Sequence, residues 1–190
     1  MNQDEFWLLI EALRSAGVGK DAREAVLQER LWRAPRSHLL DFVQHLSATR
    51  EPANTYRLWH AADIIHGAGC STDSFHYFQM WLVGLGREAY DAAIADPDTL
   101  ALVPEVRRLA TLPRPWSDDD FPEWETLEYV AVQIGGRRSD IGGDIRDVLS
   151  NERGIRLRSD PNPDDTPLSP AEVAGHYPRL WAQFGKRRTP

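Results

Sequence analysis

The sequence predicts an all-α fold, an irregular bundle of several helices with a long polar loop before a C-terminal helix. Apolar residues recur at spacings of three and four through most of the 190 residues, which is the pattern of amphipathic helices. No segment shows the sustained alternation of apolar and polar residues that is typical of a strand. A chain of this length with 42% hydrophobic residues can bury a substantial core. We therefore expect a single helical domain over residues 1–190.

Four helices are predicted before a glycine-rich break. The first begins at Asn2, whose side chain can form a capping box with Glu5. Its apolar residues share one face: Phe6, Leu9, Ile10 and Leu13. The next three helical runs cover about residues 21–33, 37–49 and 55–65, and prolines follow the first two of them.

The break at residues 67–71 ends the helical pattern, because glycine reaches backbone angles that close a helix. Ser71, Thr72 or Asp73 can cap the helix that follows. The apolar stripe of that helix consists of Phe75, Phe78, Leu82 and Leu85. A further helix is predicted over residues 87–95.

The second half of the chain carries weaker helical signals. Between residues 96 and 116 the sequence predicts only a turn and an extended, proline-rich connection. A helix with Pro122 in its first turn should then run to the glycine pair that follows Ile134. A weaker helix around residues 141–149 precedes a polar loop at 151–168. A terminal helix at 169–184 then opens with a capping box and contains a proline that can kink it.

Acidic residues dominate the middle of the chain. The net charge is −7, and residues 86–128 carry eleven acids and four bases. Nonspecific binding to nucleic acid depends on Lys and Arg that replace condensed counterions, so we expect no nucleic-acid partner. We expect a partner protein, for which a basic surface would be the complement, and a homo-oligomer is an open alternative.

The compartment is predicted from the cysteine count and from the first residues. The single cysteine, Cys70, cannot form an internal disulfide, and the start of the chain lacks the basic and apolar regions of a signal peptide. No apolar run approaches the roughly 20 residues that cross a bilayer. We expect a soluble protein of the reducing cytoplasm with no contact to a membrane.

The densest group of potential metal ligands or catalytic residues surrounds the glycine turn. It consists of His60, Asp63, His66, Cys70 and His76. Zinc needs three or four converging ligands, whereas helix residues at i, i+3 and i+6 spread over about 300° at roughly 100° per residue. We therefore expect no metal and no cofactor. Cys70 as a nucleophile at the start of the next helix is an alternative to the favoured interpretation, a buried structural cysteine.

A second concentration of polar chemistry lies just before the Trp124 helix. Six carboxylates occupy an eleven-residue window without a base: Asp118, Asp119, Asp120, Glu123, Glu125 and Glu128. A calcium loop is not predicted, because a proline and aromatic residues interrupt the spacing of its ligands. Acids at a helix start are favoured by the helix dipole, so a structural role is the main interpretation. Contact with a basic protein is the alternative.

The stretch from Leu58 to Leu82 contains a Gly-Cys-Ser-x-Asp-x-Phe turn followed by a helix with Trp-Leu. The segments Gly-Arg-Glu-Ala-Tyr at residues 86–90 and Asp-Pro-Asp at 96–98 come after it. Together with the opening Phe-Trp helix, these features resemble a bacterial family called domain of unknown function 4240. The resemblance covers about residues 1–135, which leaves 136–190 as a C-terminal extension. It implies no catalytic role.

No motif specifies a reaction, since a nucleophile elbow, a phosphate loop and a dinucleotide fingerprint are all missing from the sequence. The first hypothesis is a noncatalytic protein-interaction or regulatory module. Its candidate binding residues lie at helix starts and in the acidic window: Ser71, Asp73, Arg87, Glu88, Asp118, Asp119, Asp120 and Glu123. The second hypothesis is a small hydrolase with a site near Cys70, Asp73 and His76. The third is an acidic decoy that mimics DNA.

Overall fold

The computed structural model describes residues 1–16, 19–158 and 160–185, and this part of the chain is helical without any strand, as predicted. Two short 3₁₀ helices accompany the α-helices, at Glu51–Ala53 and Pro97–Leu102. The α-helices are α1 Gln3–Ser15, α2 Lys20–Arg33, α3 Arg36–Arg50, α4 Tyr56–His66, α5 Thr72–Gly84, α6 Arg87–Ala95, α7 Pro104–Leu109, α8 Glu125–Arg137, α9 Ile145–Arg153, α10 Pro170–His176 and α11 Pro178–Phe184.

Side-chain caps explain where several of these helices begin. The Glu5 N–H donates to Asn2 Oδ1 at 2.9 Å and the Asn2 N–H donates to Glu5 Oε2 at 2.7 Å, which is the expected capping box. Thr55 and Ser71 each accept the amide N–H three residues ahead, at 3.1 Å. Each cap satisfies an amide that has no partner inside its helix.

Helix α5 lies at the centre of the bundle. It packs against α1, α3, α4, α6 and α8, and α8 in turn packs against α2 and α3. The predicted apolar stripe of α5 is buried, with Phe75, Phe78 and Leu82 fully inaccessible to solvent. The polar start of α5, at Ser71 and Asp73, remains exposed. Helix α5 therefore buries its apolar stripe in the core, as its periodicity predicts, and keeps its polar start in solvent.

The terminal helix predicted over residues 169–184 is two helices, which is a correction. Helix α10 ends and α11 begins at Tyr177, because Pro178 has no amide hydrogen with which to continue the first helix. Helix α11 packs against α4 and against the 3₁₀ helix Pro97–Leu102, so that Leu180 and Phe184 join the hydrophobic core.

The polar loop predicted at residues 151–168 begins later, at Gly154, because α9 continues to Arg153. The described part of this loop is held against α4. Asp165 Oδ1 accepts the Tyr56 N–H at 2.6 Å, and the Leu168 N–H donates to His60 Nε2 at 3.0 Å. Asp165 thus caps the start of α4 from a distance in sequence of more than one hundred residues.

The segment between α6 and α8 also differs from the prediction. It contains the 3₁₀ helix Pro97–Leu102 and helix α7, where the sequence suggested only a turn and a connection. Both are short and start at a proline, whose fixed φ suits a first helical position. Helix α8 begins at Glu125, so Pro122 precedes the helix, and residues 117–120 form a turn closed by Ser117 and Asp120.

None of the helices in the described part of the chain is long and apolar enough to span a membrane.

Asp98 fixes α11 to the 3₁₀ helix that precedes α7. Its carboxylate is 3% exposed and accepts the Leu180 N–H at 2.9 Å and the Arg179 N–H at 3.1 Å. Asp98→Ala leaves both amides without this acceptor, so we expect the free energy of unfolding to fall by about 2 kcal/mol in urea titration. Asp98→Asn keeps one acceptor oxygen and should lose less. Equal stability of Asp98→Ala and the wild type would show that this cap contributes nothing.

Candidate functional site

A cavity of about 280 Å³ lies between α2, α5, α7 and the segment that leads into α8. Two tryptophans, Trp81 and Trp124, and the helix end at Gly84 line its apolar side. Charged side chains from α2, α7 and residues 117–120 line the rest. We call this space the charged cavity. Its volume suits a small organic molecule, since cavities of about 150 Å³ already hold benzene.

Trp124 is positioned by the end of α5. A Cβ atom at Gly84 would lie 2.5 Å from Trp124 Cε3, so only glycine permits this contact. The Trp124 N–H donates to the Tyr77 carbonyl at 2.9 Å, and its indole N–H donates to Thr126 Oγ1 at 3.0 Å. These three contacts fix the indole of Trp124 as a rigid wall of the charged cavity.

Asp119 neutralises the beginning of α2. Gly19 supplies no capping side chain, and Asp119 Oδ1 accepts the Lys20 N–H at 2.8 Å in its place. Lys20 Nζ donates to the carbonyl oxygens of Asp118 and Phe121. Burial lowers the pKa of Lys20, and four nearby carboxylates, with Asp119 the strongest, oppose that shift. Asp119 therefore has an internal partner, although the residue itself is exposed.

Asp120 and Glu105 each have an arginine partner as well. Arg108 Nη1 lies 2.5 Å from Asp120 Oδ1, and a hydrogen bond from Ser117 lowers the pKa of Asp120 together with Arg108. Arg14 donates to Glu105 Oε1 through Nε at 3.1 Å and through Nη2 at 2.7 Å. The other oxygen, Glu105 Oε2, is buried and accepts no hydrogen bond within the described residues.

Arg23 is a cation of the charged cavity with an unused hydrogen-bond donor. Its Nε is buried and makes no hydrogen bond to any residue that the structure describes. Within the same residues no carboxylate lies within 4.0 Å of its guanidinium, although Glu105 and Asp119 are close enough to raise its pKa against the lowering effect of burial. The lining carries three cations, Lys20, Arg23 and Arg108, and an equal number of carboxylates, so Arg23 stands out by its unbonded Nε and not by an excess of positive charge.

Three residues of the acidic window predicted from the sequence are exposed, namely Asp118, Asp119 and Glu125, and the other three are partly buried. Asp119 and Asp120 line the charged cavity. Glu123 Oε1 lies 3.4 Å from His66 Nε2, and Glu125 accepts the Tyr77 hydroxyl at 3.1 Å. The structural interpretation of these acids thus has a physical basis, because most of them have internal partners.

The other four predicted binding residues lie elsewhere. Ser71 acts as the cap of α5, and Asp73 is exposed in the first turn of that helix. Arg87 contacts the start of the chain: its side chain donates to Asp4 at 2.8 Å and its backbone N–H donates to Glu11 at 3.1 Å. Glu88 follows it, exposed, in the first turn of α6.

The residues proposed for a hydrolase make their contacts in separate places. Cys70 Sγ lies 3.3 Å from His66 Nδ1, but this nitrogen is 2.8 Å from the Ala62 carbonyl. A ring nitrogen that donates to a carbonyl carries its proton and cannot take one from the thiol. His76 instead contacts Arg50 and Glu128. The geometry gives no support to a nucleophile activated by histidine at Cys70.

Cys70 is expected to react slowly with alkylating reagents. Burial raises the pKa of its thiol, and the carboxylate of Asp63, which accepts the Cys70 N–H at 2.7 Å, raises it further. A raised pKa leaves less thiolate at a given pH, so iodoacetamide should modify the folded protein at least about tenfold more slowly than the urea-unfolded chain.

The variant Asp63→Asn is the matched control, because it removes the charge and retains an acceptor oxygen. We expect it to react faster than the folded wild type. Equal rates for the folded wild type and the unfolded chain would contradict this description of Cys70.

A buried ionic cluster connects α3, α5 and α8. Arg50, 6% exposed, donates to His76 Nδ1 at 2.7 Å, so the proton of the neutral imidazole is on Nε2 and points to Glu128. Arg50 also donates to the Arg158 carbonyl. Burial raises the pKa of Glu128, and Arg50 and Arg146 oppose that rise. Arg50 therefore links the loop after α9 to the core.

Sequence reasoning did not identify Arg23, Glu105 or Arg108 as site residues. Each lies on a helix whose charged residues look like an ordinary solvated face, and their convergence depends on how α2 and α7 pack. In the described residues no group of three or more His, Cys, Asp or Glu side chains could hold a metal ion.

A family model described as "Protein of unknown function (DUF4240)" matches residues 1–134. No curated protein and no solved structure matches the chain. All residues that line the charged cavity lie inside the matched range.

Proposed function

Because this chain belongs to the DUF4240 family, whose description assigns no activity, we propose a function from its own geometry. We propose a noncatalytic regulatory module that binds a small organic carboxylate in the charged cavity. The observation that carries this proposal is Arg23, a buried guanidinium nitrogen without a hydrogen bond in the described residues, beside a cavity of about 280 Å³.

An arginine with an unused donor favours a ligand with a negative group. Arg108 is paired with Asp120, and Glu105 is paired with Arg14 outside the lining, so Arg23 is the guanidinium of the cavity that is left to bind an acid. Guanidinium groups bind carboxylates through two parallel N–H donors, which adds direction to the charge attraction. Trp81 and Trp124 offer apolar surface to the remainder of such a ligand.

The test is calorimetric titration of the full chain with 3-phenylpropionate, a carboxylate that carries an apolar ring. We expect saturable binding to the wild type and a loss of affinity of about tenfold or more in Arg23→Gln, since a charge-assisted hydrogen bond is removed. Arg33→Gln is the control, because Arg33 pairs with Glu29 on the exposed face of α2. Absence of saturable binding, or equal affinity in Arg23→Gln, would refute the proposal.

A second candidate function, binding to another protein, is favoured by one surface feature. Leu8 on α1 is 69% exposed, and acidic residues of its own helix, Asp4 and Glu11, contact Arg87 beside it. An exposed leucine inside a largely acidic rim fits a partner protein that presents an apolar side chain among basic residues. This surface includes two of the predicted binding residues, Arg87 and Glu88.

Leu8→Ser tests this second candidate, because Leu8 contributes no buried core surface. In a pull-down, an identified partner protein that binds the wild type but neither Leu8→Ser nor Arg87→Ala would support it. Light scattering of the same variants distinguishes a second copy of the chain from a different protein. Capture that is unchanged in both variants would contradict it.

We also propose that the protein is located in the cytoplasm. This proposal rests on the single cysteine of the chain.

A further inference from the structure

Trp32, in the last turn of α2, is the most exposed aromatic side chain in the described part of the chain, with 51% of its surface accessible. The fold therefore leaves half of an indole in water, although tryptophan is a residue that proteins bury or use at interfaces. A single exposed apolar side chain is common on protein surfaces and by itself indicates no site. The surface beside Trp32 makes it a candidate contact.

A concave surface of about 650 Å³ lies where α8 ends and the chain turns towards α9. We call it the glycine concavity, because four of its nine lining residues are glycines: Gly135, Gly136, Gly142 and Gly143. Arg138 in its wall donates through Nη1 to the Ala34 carbonyl at 2.7 Å and to the Trp32 carbonyl at 3.4 Å. An exposed indole and a concavity that it does not line thus lie close together on one surface.

Gly136 has no role inside the described chain that requires a glycine. It lies in helix α8 without a positive φ, and a Cβ atom there would meet no described atom within 4 Å. Glycine weakens a helix relative to alanine, because it loses more conformational freedom on folding. Nothing in the described part of the monomer offsets this loss, whereas a ring from another molecule that lies directly on the helix backbone requires the absence of a side chain.

We propose that the glycine concavity binds Trp32 of a second copy of this chain. A surface that carries both the indole and the concavity is self-complementary, so a two-fold axis lets each copy insert its Trp32 into the other. The contact is then made twice and leaves no free concavity, which closes the assembly at a dimer. This inference is independent of the ligand proposed for the charged cavity.

The charges around Trp32 and the concavity favour a second copy over a basic protein. Arg137 is exposed in the wall of the concavity and has no carboxylate within 4.0 Å in the described residues. Glu29 lies one turn before Trp32, and its side chain is 57% exposed, although it pairs with Arg33 of the same helix. Insertion of Trp32 brings this carboxylate towards Arg137 of the other copy. The guanidinium of Arg137 can also lie on the face of the indole.

The expected dimer is weak, because the contact is small. A helix end and one concavity bury less surface than the roughly 800 Å² per partner of a standard stable interface. Most of the binding energy is expected from Trp32, since buried tryptophans are frequent hot spots. We expect a dissociation constant of about 10 to 100 µM.

Sedimentation equilibrium of the full chain from about 5 to 500 µM brackets this constant and tests the dimer. We expect a monomer–dimer equilibrium for the wild type and a dissociation constant at least about tenfold higher for Trp32→Ser. Leu102→Ser is the matched control, because Leu102 is 61% exposed and lies on the 3₁₀ helix that packs against α4, α6, α7 and α11. This control should leave the dimer unchanged.

Gly136→Leu separates the contact between copies from a role inside the fold. Leucine favours a helix over glycine, and the space around a Cβ at residue 136 is open. We therefore expect resistance to urea no lower than that of the wild type, measured at a concentration at which the wild type is monomeric. The dissociation constant of the dimer should rise at least about tenfold, because the new side chain occupies the floor of the concavity. A loss of stability together with the dimer would indicate a structural role and overturn the inference.

Mixing the two variants tests the reciprocal insertion. Trp32→Ser keeps an open concavity and Gly136→Leu keeps the indole, so a mixed dimer retains one of the two contacts. The mixture should associate more strongly than either variant alone. A mixture that associates no better, a wild type that is monomeric at every concentration, or a dimer that neither substitution weakens would each overturn the inference.

Discussion

Replacing Arg50 with alanine is expected to lower the free energy of unfolding by about 3 to 5 kcal/mol, the range for breaking a buried charge cluster. The substitution removes the donor to His76 Nδ1 and takes from Glu128 the cation that lowers the pKa of its carboxyl most. It also removes the contact that holds the Arg158 carbonyl against α3. Urea titration of the variant and the wild type at neutral pH measures this loss.

Two further variants establish the cause of that loss. Arg33→Ala removes an arginine of the exposed Arg33–Glu29 pair and should cost less than about 1 kcal/mol, because such pairs are screened by solvent. The double variant with Glu128→Gln removes the unpaired charge and should regain part of the stability lost in Arg50→Ala. A cost for Arg50→Ala no larger than that for Arg33→Ala would show that the buried cluster is not an important source of stability.

Gly84→Ala is expected to destabilise the protein by about 2 kcal/mol, although alanine favours helices over glycine by roughly 1 kcal/mol. The reason is steric, since the new methyl group would lie 2.5 Å and 2.7 Å from two ring carbons of Trp124. Trp124 is 3% exposed, is bonded through its backbone to Tyr77 and cannot move away without disturbing the core. The shifted indole also alters a wall of the charged cavity, so ligand binding should weaken in parallel.

Gly136→Ala is the matched control for this steric argument. Gly136 lies near the end of α8 as Gly84 lies at the end of α5, and a Cβ there would meet no atom within 4 Å. Its replacement should raise the free energy of unfolding by about 0.5 to 1 kcal/mol. Stabilisation of both variants in urea titration would contradict the contact between Gly84 and Trp124.

The sequence predicts the fold well where periodicity and capping agree. The capping box at Asn2 and the buried stripe of α5 are confirmed, and Ser71 is the cap among the three candidates at residues 71–73, because each feature depends on residues within or next to one helix. The prediction was wrong where tertiary partners decide. Pro97–Leu102 forms a 3₁₀ helix in which the Asp98 side chain bonds to α11, 82 residues away, and no local pattern indicates that contact.

The charged cavity could be predicted from the sequence less well than the fold. The acidic window includes Asp119 and Asp120, but a charge count does not indicate their partners, which the structure shows to be the start of α2 and Arg108. Arg23 and Glu105 are separated by more than eighty residues and lie on helices with several other charges. Only their placement around a common cavity distinguishes them. The division of the chain at residue 135 stays a prediction.

The most direct test of the central claim follows nitrogen-bound protons of the cavity by NMR while 3-phenylpropionate is added. The Arg23 Nε–H signal is identified by its loss in Arg23→Gln, and the indole N–H signals of Trp81 and Trp124 are identified in the same way. The account predicts that all three signals shift together and saturate at the affinity found by calorimetry. Signals that stay in place at millimolar ligand in the folded protein would contradict the claim that the charged cavity is a carboxylate site.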